Sequence, residues 1–147
     1  MSIAKNRVTK IHFFYENVEY KVKGIKEIRL WLIACAASES KKIGELNIIF
    51  CEDNYLLKIN KVYLKHNYLT DIITFDYSED KGILSGDVFI SIERAKENAV
   101  LYKQTTTREV RRLLIHGLLH LIGYSDKSAI ARKLMSDLED AYLNKVQ

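Results

Sequence analysis

The sequence predicts an α+β fold: a single layered domain over residues 1–147, with a small mixed β-sheet packed against about five helices and a candidate metal site on a central helix. Three observations lead there. Apolar residues alternate with period two early in the chain and again around residues 70–90. Helical periodicity separates those stretches and dominates after Ser91. Two of the four histidines sit four residues apart inside one of the late apolar helical runs.

Ile11, Phe13 and Tyr15 alternate on odd positions, and Val18, Tyr20 and Val22 on even ones. The change of phase at Glu16-Asn17 predicts two strands joined by a tight turn. From Ile25 to about Ala37 the period becomes helical, with Ile25, Ile28, Leu32 and Cys35 on one face. Leu46, Ile48 and Phe50 predict the next strand, and Asp53 is a candidate N-cap for a helix carrying Leu56, Ile59, Asn60 and Tyr63. A polar loop at 65–67 leads to a buried strand over Thr70–Phe75. After the turn Ser78–Gly82, another strand runs from Ile83 to Ile90, interrupted at Ser85-Gly86-Asp87. Ser91 is placed to cap a helix reaching about Tyr102. Thr105 or Thr106 is placed to cap the histidine helix, with capping-box spacing from Thr106 to Glu109. The last helix is expected over about Lys127–Asn144, with Ile130, Leu134, Leu138 and Tyr142 on its apolar face.

Composition narrows the class. A chain of 147 residues, 48% hydrophobic and 29% charged, can bury a real core as one domain. Residues 1–7 lack the apolar stretch of a signal peptide, and the longest apolar run, Leu30–Ala37, is far short of a membrane span. A cytoplasmic protein without membrane contact is the expectation. Cys35 and Cys51 lack CxxC spacing and are expected as two buried free thiols. The net charge of +4 tilts modestly towards an acidic partner such as nucleic acid.

The chemistry concentrates in His116-Gly-Leu-Leu-His120-Leu-Ile-Gly123-Tyr124-Ser125-Asp126. Positions i and i+4 leave a helix on the same face, so both imidazoles can bind one ion. Gly123 can end the helix with a left-handed residue and let the chain bring Asp126 towards the pair. His116, His120 and Asp126 then form a three-ligand site for one Zn2+, with the remaining position open to water or substrate. Asp126 also stands just before the last helix, where an aspartate often serves as N-cap, so ligand, cap or both remain open. Gly117 inside the helix implies either close packing or space for a substrate, because glycine costs a helix interior about 1 kcal/mol relative to alanine. The spacing matches the zinc-protease pattern HExxHxxGxxH, but Gly117 stands where that pattern has its general-base glutamate. A peptidase would lack its proton acceptor.

The stretch His116-Gly-Leu-Leu-His120-Leu-Ile-Gly123-Tyr124 resembles the signature of the YbeY family, metal-dependent endoribonucleases involved in maturing ribosomal RNA. Ile59-Asn60-Lys61-Val62-Tyr63, Thr70-Asp71-Ile72-Ile73-Thr74-Phe75 and Gly86-Asp87-Val88-Phe89-Ile90 agree with that family in order and spacing. The similarity runs from about residue 44 to the C-terminus. Three positions depart from the pattern: Asp126 stands for the family's third histidine, Ser125 for the aspartate before it, and Leu64 for an arginine after Tyr63.

The resemblance implies a zinc-dependent, single-strand-directed endoribonuclease of ribosomal RNA maturation, with a ribosomal RNA precursor or ribosomal particle as its partner. The attacking group would be a metal-bound water, or the RNA's own 2′-hydroxyl; no dedicated general base is visible. Arg112, one turn before His116, and Lys61 and Lys65, beside the segment that lacks the arginine, are the candidate phosphate contacts, with His66 nearby. The competing expectation is a non-catalytic ribosome-assembly factor whose metal site is structural.

Overall fold

The computed structural model describes residues 8–145. Within them, β1 (Lys10–Tyr15), α1 (Ile25–Ser38), β2 (Lys42–Cys51), α2 (Asp53–Leu64), β3 (Ile72–Asp76), β4 (Ile83–Ser91), α3 (Ile92–Leu101), α4 (Thr106–Ile122) and α5 (Ala129–Leu143) follow one another. The strands form one mixed sheet in the order β1-β2-β4-β3. β1 and β4 both run parallel to β2, and β3 is antiparallel to β4. The predicted α+β class is therefore observed: a four-stranded open sheet with five helices among the described residues.

Side-chain alternation divides the packing. Ile48, Phe50, Val88 and Ile90 point into the main core with Ile28 and Leu32 of α1 and Leu113, Leu114, Ile115 and Leu118 of α4. Ile73 joins Cys51 and Leu56 in a smaller cluster, with Phe75 and Phe89 packed against it. α2 thus covers the opposite side of the β3–β4 end of the sheet. α4 is the most enclosed helix, touching β3, β4, α1, α3 and α5. Its long apolar face offsets the ordering of 17 residues, each buried Leu or Ile contributing about 1.5–3 kcal/mol.

Several local expectations are corrected. The hairpin does not form: β1 pairs in parallel with β2, from Lys10 opposite Glu45 to Tyr15 opposite Phe50, and residues 18–22 have no regular structure. Their alternation arises from burial alone. Val22 is buried and its N–H donates to the Tyr15 hydroxyl at 3.1 Å, while the Tyr20 ring meets Phe50 edge-on. β4 runs unbroken through Ser85-Gly86-Asp87, and the irregularity lies across the ladder in β2, between Ile43 and Leu46. Glu52, not Asp53, occupies the N-cap of α2; the Asp53 carboxylate accepts from the Ser91 hydroxyl at 2.6 Å and from Arg94.

Ser91 caps α3 as expected, accepting from the Arg94 N–H. Thr105 is the cap of α4, so the Thr106–Glu109 box is absent and Glu109 turns into the interior. α5 starts at Ala129, and its buried face is Met135, Glu139, Tyr142 and Leu143, leaving Ile130 85% exposed and Leu134 48% exposed. Of the expected face, Tyr142 is buried and Leu138 packs against the core, while Ile130 and Leu134 face solvent because the buried stripe runs through Met135 and the acid Glu139. Cys35 and Cys51 are free and buried, and burial pushes both thiols up to about 12. Among the described residues no helix is long and apolar enough to cross a membrane. The N-terminal stretch 1–7 lies outside the described residues.

Candidate metal centre

The site is built at the end of α4. The Thr105 hydroxyl accepts from the Arg108 N–H at 3.1 Å and starts the helix, which carries His116 and His120 one turn apart. Gly123 ends it with φ 124°, a backbone region that side-chain-bearing residues rarely adopt, and its N–H reaches the Leu119 and His120 carbonyls. The chain then doubles back. Ser128 takes the N-cap of α5, accepting from the Ala131 N–H at 3.0 Å, so Asp126 has no capping duty. Its Oδ2 lies 3.3 Å from His120 Nε2 and 3.6 Å from His116 Nε2, and the two Nε2 atoms are 3.0 Å apart. The three predicted ligands are thus brought together, one atom from each within 4.8 Å of the others.

Their chemistry fits a cation. His116 Nδ1 lies 2.5 Å from Glu139 Oε2, and His120 Nδ1 lies 3.0 Å from the Tyr124 carbonyl. A carboxylate and a carbonyl only accept, so both Nδ1 atoms must carry the proton that they donate. A neutral imidazole donating from Nδ1 presents a lone pair at Nε2. With both rings neutral, two such lone pairs and a carboxylate oxygen converge. That arrangement repels itself unless a positive ion sits at the centre, and two imidazoles with one carboxylate are a donor set suited to zinc and to other first-row divalent metals. A carboxylate or carbonyl behind each ligating histidine is also how metal sites hold ring orientation.

A charged layer lies behind the ligands. Glu139 also accepts from Arg112 Nη1 at 3.3 Å, and the Arg112 fork donates to Glu109 at 2.8 and 2.6 Å. The Asn98 amide joins Glu109 to Asp71, at 3.1 and 3.0 Å. Glu109 and Glu139 are buried. For Arg112, burial works to lower the pKa, but the bond to Glu109 and the charges of Glu139 and Asp71 outweigh it, and the net shift is upward. Arg112 is thus placed beneath the ligands with its donors engaged by carboxylates.

The Tyr124 carbonyl is held in turn. The Tyr124 hydroxyl donates to Glu39 at 2.6 Å, and the Tyr142 hydroxyl donates to the same carboxylate. The Glu39 bond, followed by burial, raises the Tyr124 phenol above its ordinary value.

The ligands open on a groove of about 320 Å³ lined by Thr70, Asp71 and Thr74 together with Asn60, Leu64 and His66. Lys61 and Lys65 are exposed at the end of α2 and are not among the residues lining it. Gly117 is packed against the sheet and is not among the residues lining the groove. A Cβ there would meet Val88 at 3.0 Å and Ile72 at 3.1 Å, so the glycine lets α4 pack onto the sheet and does not open room for substrate. Glu139, Glu39 and the Tyr124 carbonyl were not anticipated. One signal did exist for Glu139: an acid four residues after Met135 and four before Leu143 sits on an otherwise apolar face.

Comparison with known proteins agrees with this architecture. The family model for Endoribonuclease YbeY matches residues 10–147. The Endoribonuclease YbeY of Cytophaga hutchinsonii is 51% identical over 91% of this chain and 94% of its own length. That of Karelsulcia muelleri is 46% identical over 90% of this chain and 93% of its own. A solution structure from Thermotoga maritima shares the fold, with a TM-score of 0.64 over 92% of this chain and 88% of that one, at 24% identity. With the family matched across nearly its whole length, this chain belongs to the YbeY family.

Proposed function

We propose that this protein is a cytoplasmic, zinc-dependent endoribonuclease that cuts single-stranded segments of ribosomal RNA precursors or particles. The observation that carries the reading is the meeting of His116 Nε2, His120 Nε2 and Asp126 Oδ2 at one end of an open groove, with both Nδ1 atoms committed to acceptors. The relatives' shared name, Endoribonuclease YbeY, supports RNA as the substrate. Two histidines and one aspartate favour zinc in a four-coordinate site with one position free. When bound, a divalent ion supplies Lewis-acid activation of water or of a phosphoryl oxygen.

This chain's own residues supply orientation. Glu139 and the Tyr124 carbonyl fix which ring nitrogen of each histidine faces the groove. Arg112 neutralises Glu139 and Glu109 beneath the site. Asp71 presents a carboxylate to the groove while Asn98 holds its Oδ2, a candidate proton acceptor for a substrate hydroxyl. Lys61 and Lys65, exposed at the end of α2, are the proposed contacts to RNA phosphates further from the cut.

The test is cleavage of a structured ribosomal RNA precursor by wild type and His120→Ala, with metal content measured in parallel. Wild type should carry about one zinc per chain and cut; the variant should lose both. Full cleavage by His116→Ala and His120→Ala with a metal-free wild type overturns the proposal. A cyclic phosphate on the product means that the RNA's 2′-hydroxyl attacked, and its absence means that water did. A second reading, an assembly factor with a structural metal, is favoured by Leu64, an apolar residue lining the groove where the family pattern has an arginine. It predicts that metal removal lowers thermal stability and leaves RNA binding intact, and that Leu64→Arg does not raise the cleavage rate.

A further inference from the structure

α2 ends at Leu64, and Lys65 forms its C-cap with a left-handed φ of 59°. The residues from there to Asp71 have no regular structure, yet they are tied down. Asn60, only 1% exposed, accepts from the His66 N–H through its carbonyl at 3.1 Å. Its side-chain amide donates to the Tyr68 carbonyl at 2.9 Å. A buried amide is thus devoted to the shape of one exposed loop. The product of that shape is a stacked pair of rings, His66 and Tyr68, with centroids 5.1 Å apart and planes at 19°. The Tyr68 hydroxyl lies 2.9 Å from His66 Nδ1 and locks the pair.

The pair is not part of either core cluster, and Tyr68 is 54% exposed. Both rings line the same groove as His116, His120 and Asp126. A rigid, solvent-facing aromatic platform beside a phosphodiester-cleaving centre matches how proteins hold unpaired nucleotides, by stacking a splayed base on a ring. We propose that His66 and Tyr68 form a base-stacking subsite for one unpaired nucleotide next to the bond that is cut. A base still stacked within a helix cannot also lie on this platform, so the subsite selects against duplex at that position. Because the loop is held in place by Asn60, little ordering is left to occur when the RNA binds.

The inference rests on the ribonuclease reading above, and its test separates the two. Unstructured oligoribonucleotides carrying one abasic nucleotide, moved stepwise along the strand, are given to wild type, Tyr68→Ala and Tyr68→Phe, and kcat and KM are measured. For wild type, one abasic position beside the cut should raise KM on the order of tenfold, with kcat little changed. Tyr68→Ala should raise KM by the same factor on the intact strand and add nothing at that position. Tyr68→Phe, which keeps the ring, should retain most of the affinity. A wild type indifferent to every abasic position overturns the subsite, as does a Tyr68→Ala defect that adds equally at all of them. Should no RNA be cut by any protein, the ribonuclease reading fails instead. Fluorescence anisotropy with the same oligonucleotides then decides the subsite, by whether Tyr68→Ala weakens binding only when the base is present.

Discussion

Glu139→Gln is the sharpest perturbation that the geometry offers, because it changes one atom and breaks a specific pairing. In the native protein the two carboxylate oxygens serve two donors: Oε2 accepts from His116 Nδ1 at 2.5 Å and Oε1 from Arg112 Nη1 at 3.3 Å. A glutamine of the same shape has one oxygen and one NH2. Whichever way it turns, it sets a donor against a donor. If the NH2 faces His116, the ring is driven to move its proton to Nε2, and the lone pair aimed at the ion is lost. If it faces Arg112, the ring keeps its orientation, but a buried guanidinium loses one of its compensating charges.

The expected loss of metal affinity is about 10–100-fold, as for other partners behind metal-bound histidines. That corresponds to about 1.4–2.7 kcal/mol. Independently of metal, the Glu139 side chain is only 6% exposed, so an unsatisfied donor left beside it should cost the fold about 1–3 kcal/mol. For a domain of this size each kcal/mol lowers Tm by about 3–4 °C. The assay is competition for zinc against a chromophoric chelator at fixed pH, with thermal unfolding of the metal-free protein alongside. A Glu139→Gln protein that holds zinc within about twofold of wild type, while His120→Ala loses it, would refute the claim that Glu139 orients His116.

Three further outcomes follow from the same contacts. Gly117→Ala should destabilise by up to about 2 kcal/mol in urea unfolding: the added methyl overpacks against Val88 and Ile72 at a cost of about 1–3 kcal/mol, which the gain in helix propensity of about 1 kcal/mol only partly offsets. A stabilised variant would mean that the sheet yields freely. Cys35 and Cys51 should resist iodoacetamide in the native state and both react once unfolded. Their thiols, lifted from 9.0 to about 12, hold protons in the fold that the unfolded chain releases, so their contribution is present below pH 9 and is lost as pH rises from there towards 12. Tyr124→Phe should cost about 0.5–1.5 kcal/mol by removing one donor to Glu39, yet leave zinc affinity nearly unchanged, because the Tyr124 carbonyl that holds His120 is backbone. Equal losses of stability and zinc affinity would show that the side chain, not the backbone, sets the position of His120.

What could be read from the chain follows the range of the interactions involved. His116 and His120 were legible because one helix turn relates them, and the helix itself is announced by a local cap at Thr105 and a glycine stop at Gly123. Ser91 as a cap was legible for the same reason. The failures are long-range. Whether Val18–Val22 pairs with β1 depends on β2 claiming the parallel position beside it, a choice that no local pattern encodes. Whether Asp126 caps α5 depended on Ser128 taking that role two residues later. Arg112 lies on the helical face expected for it, but besides Glu109 one turn away it is engaged by distant acids: Glu139 is 27 residues away in sequence, and Asp71 stands just before β3.

The same contrast bears on how the site works. The proposed ligands come from one short stretch, as does the Tyr124 carbonyl that orients His120, while the carboxylate that orients His116 comes from α5. A metal pair on an isolated helix would be free to rotate its rings and change tautomers. Here each Nδ1 faces an acceptor without any ion, so an ion binding at the proposed site would meet ligands already aimed. A third histidine would bring a neutral ligand to this point. As the proposed third ligand, Asp126 would bring a negative charge instead, strengthening attraction for the ion and weakening the ion's pull on a substrate oxygen. At such a site the preorganisation from α5 would therefore matter more than with three histidines, because less of the catalytic advantage could come from the ion's bare charge.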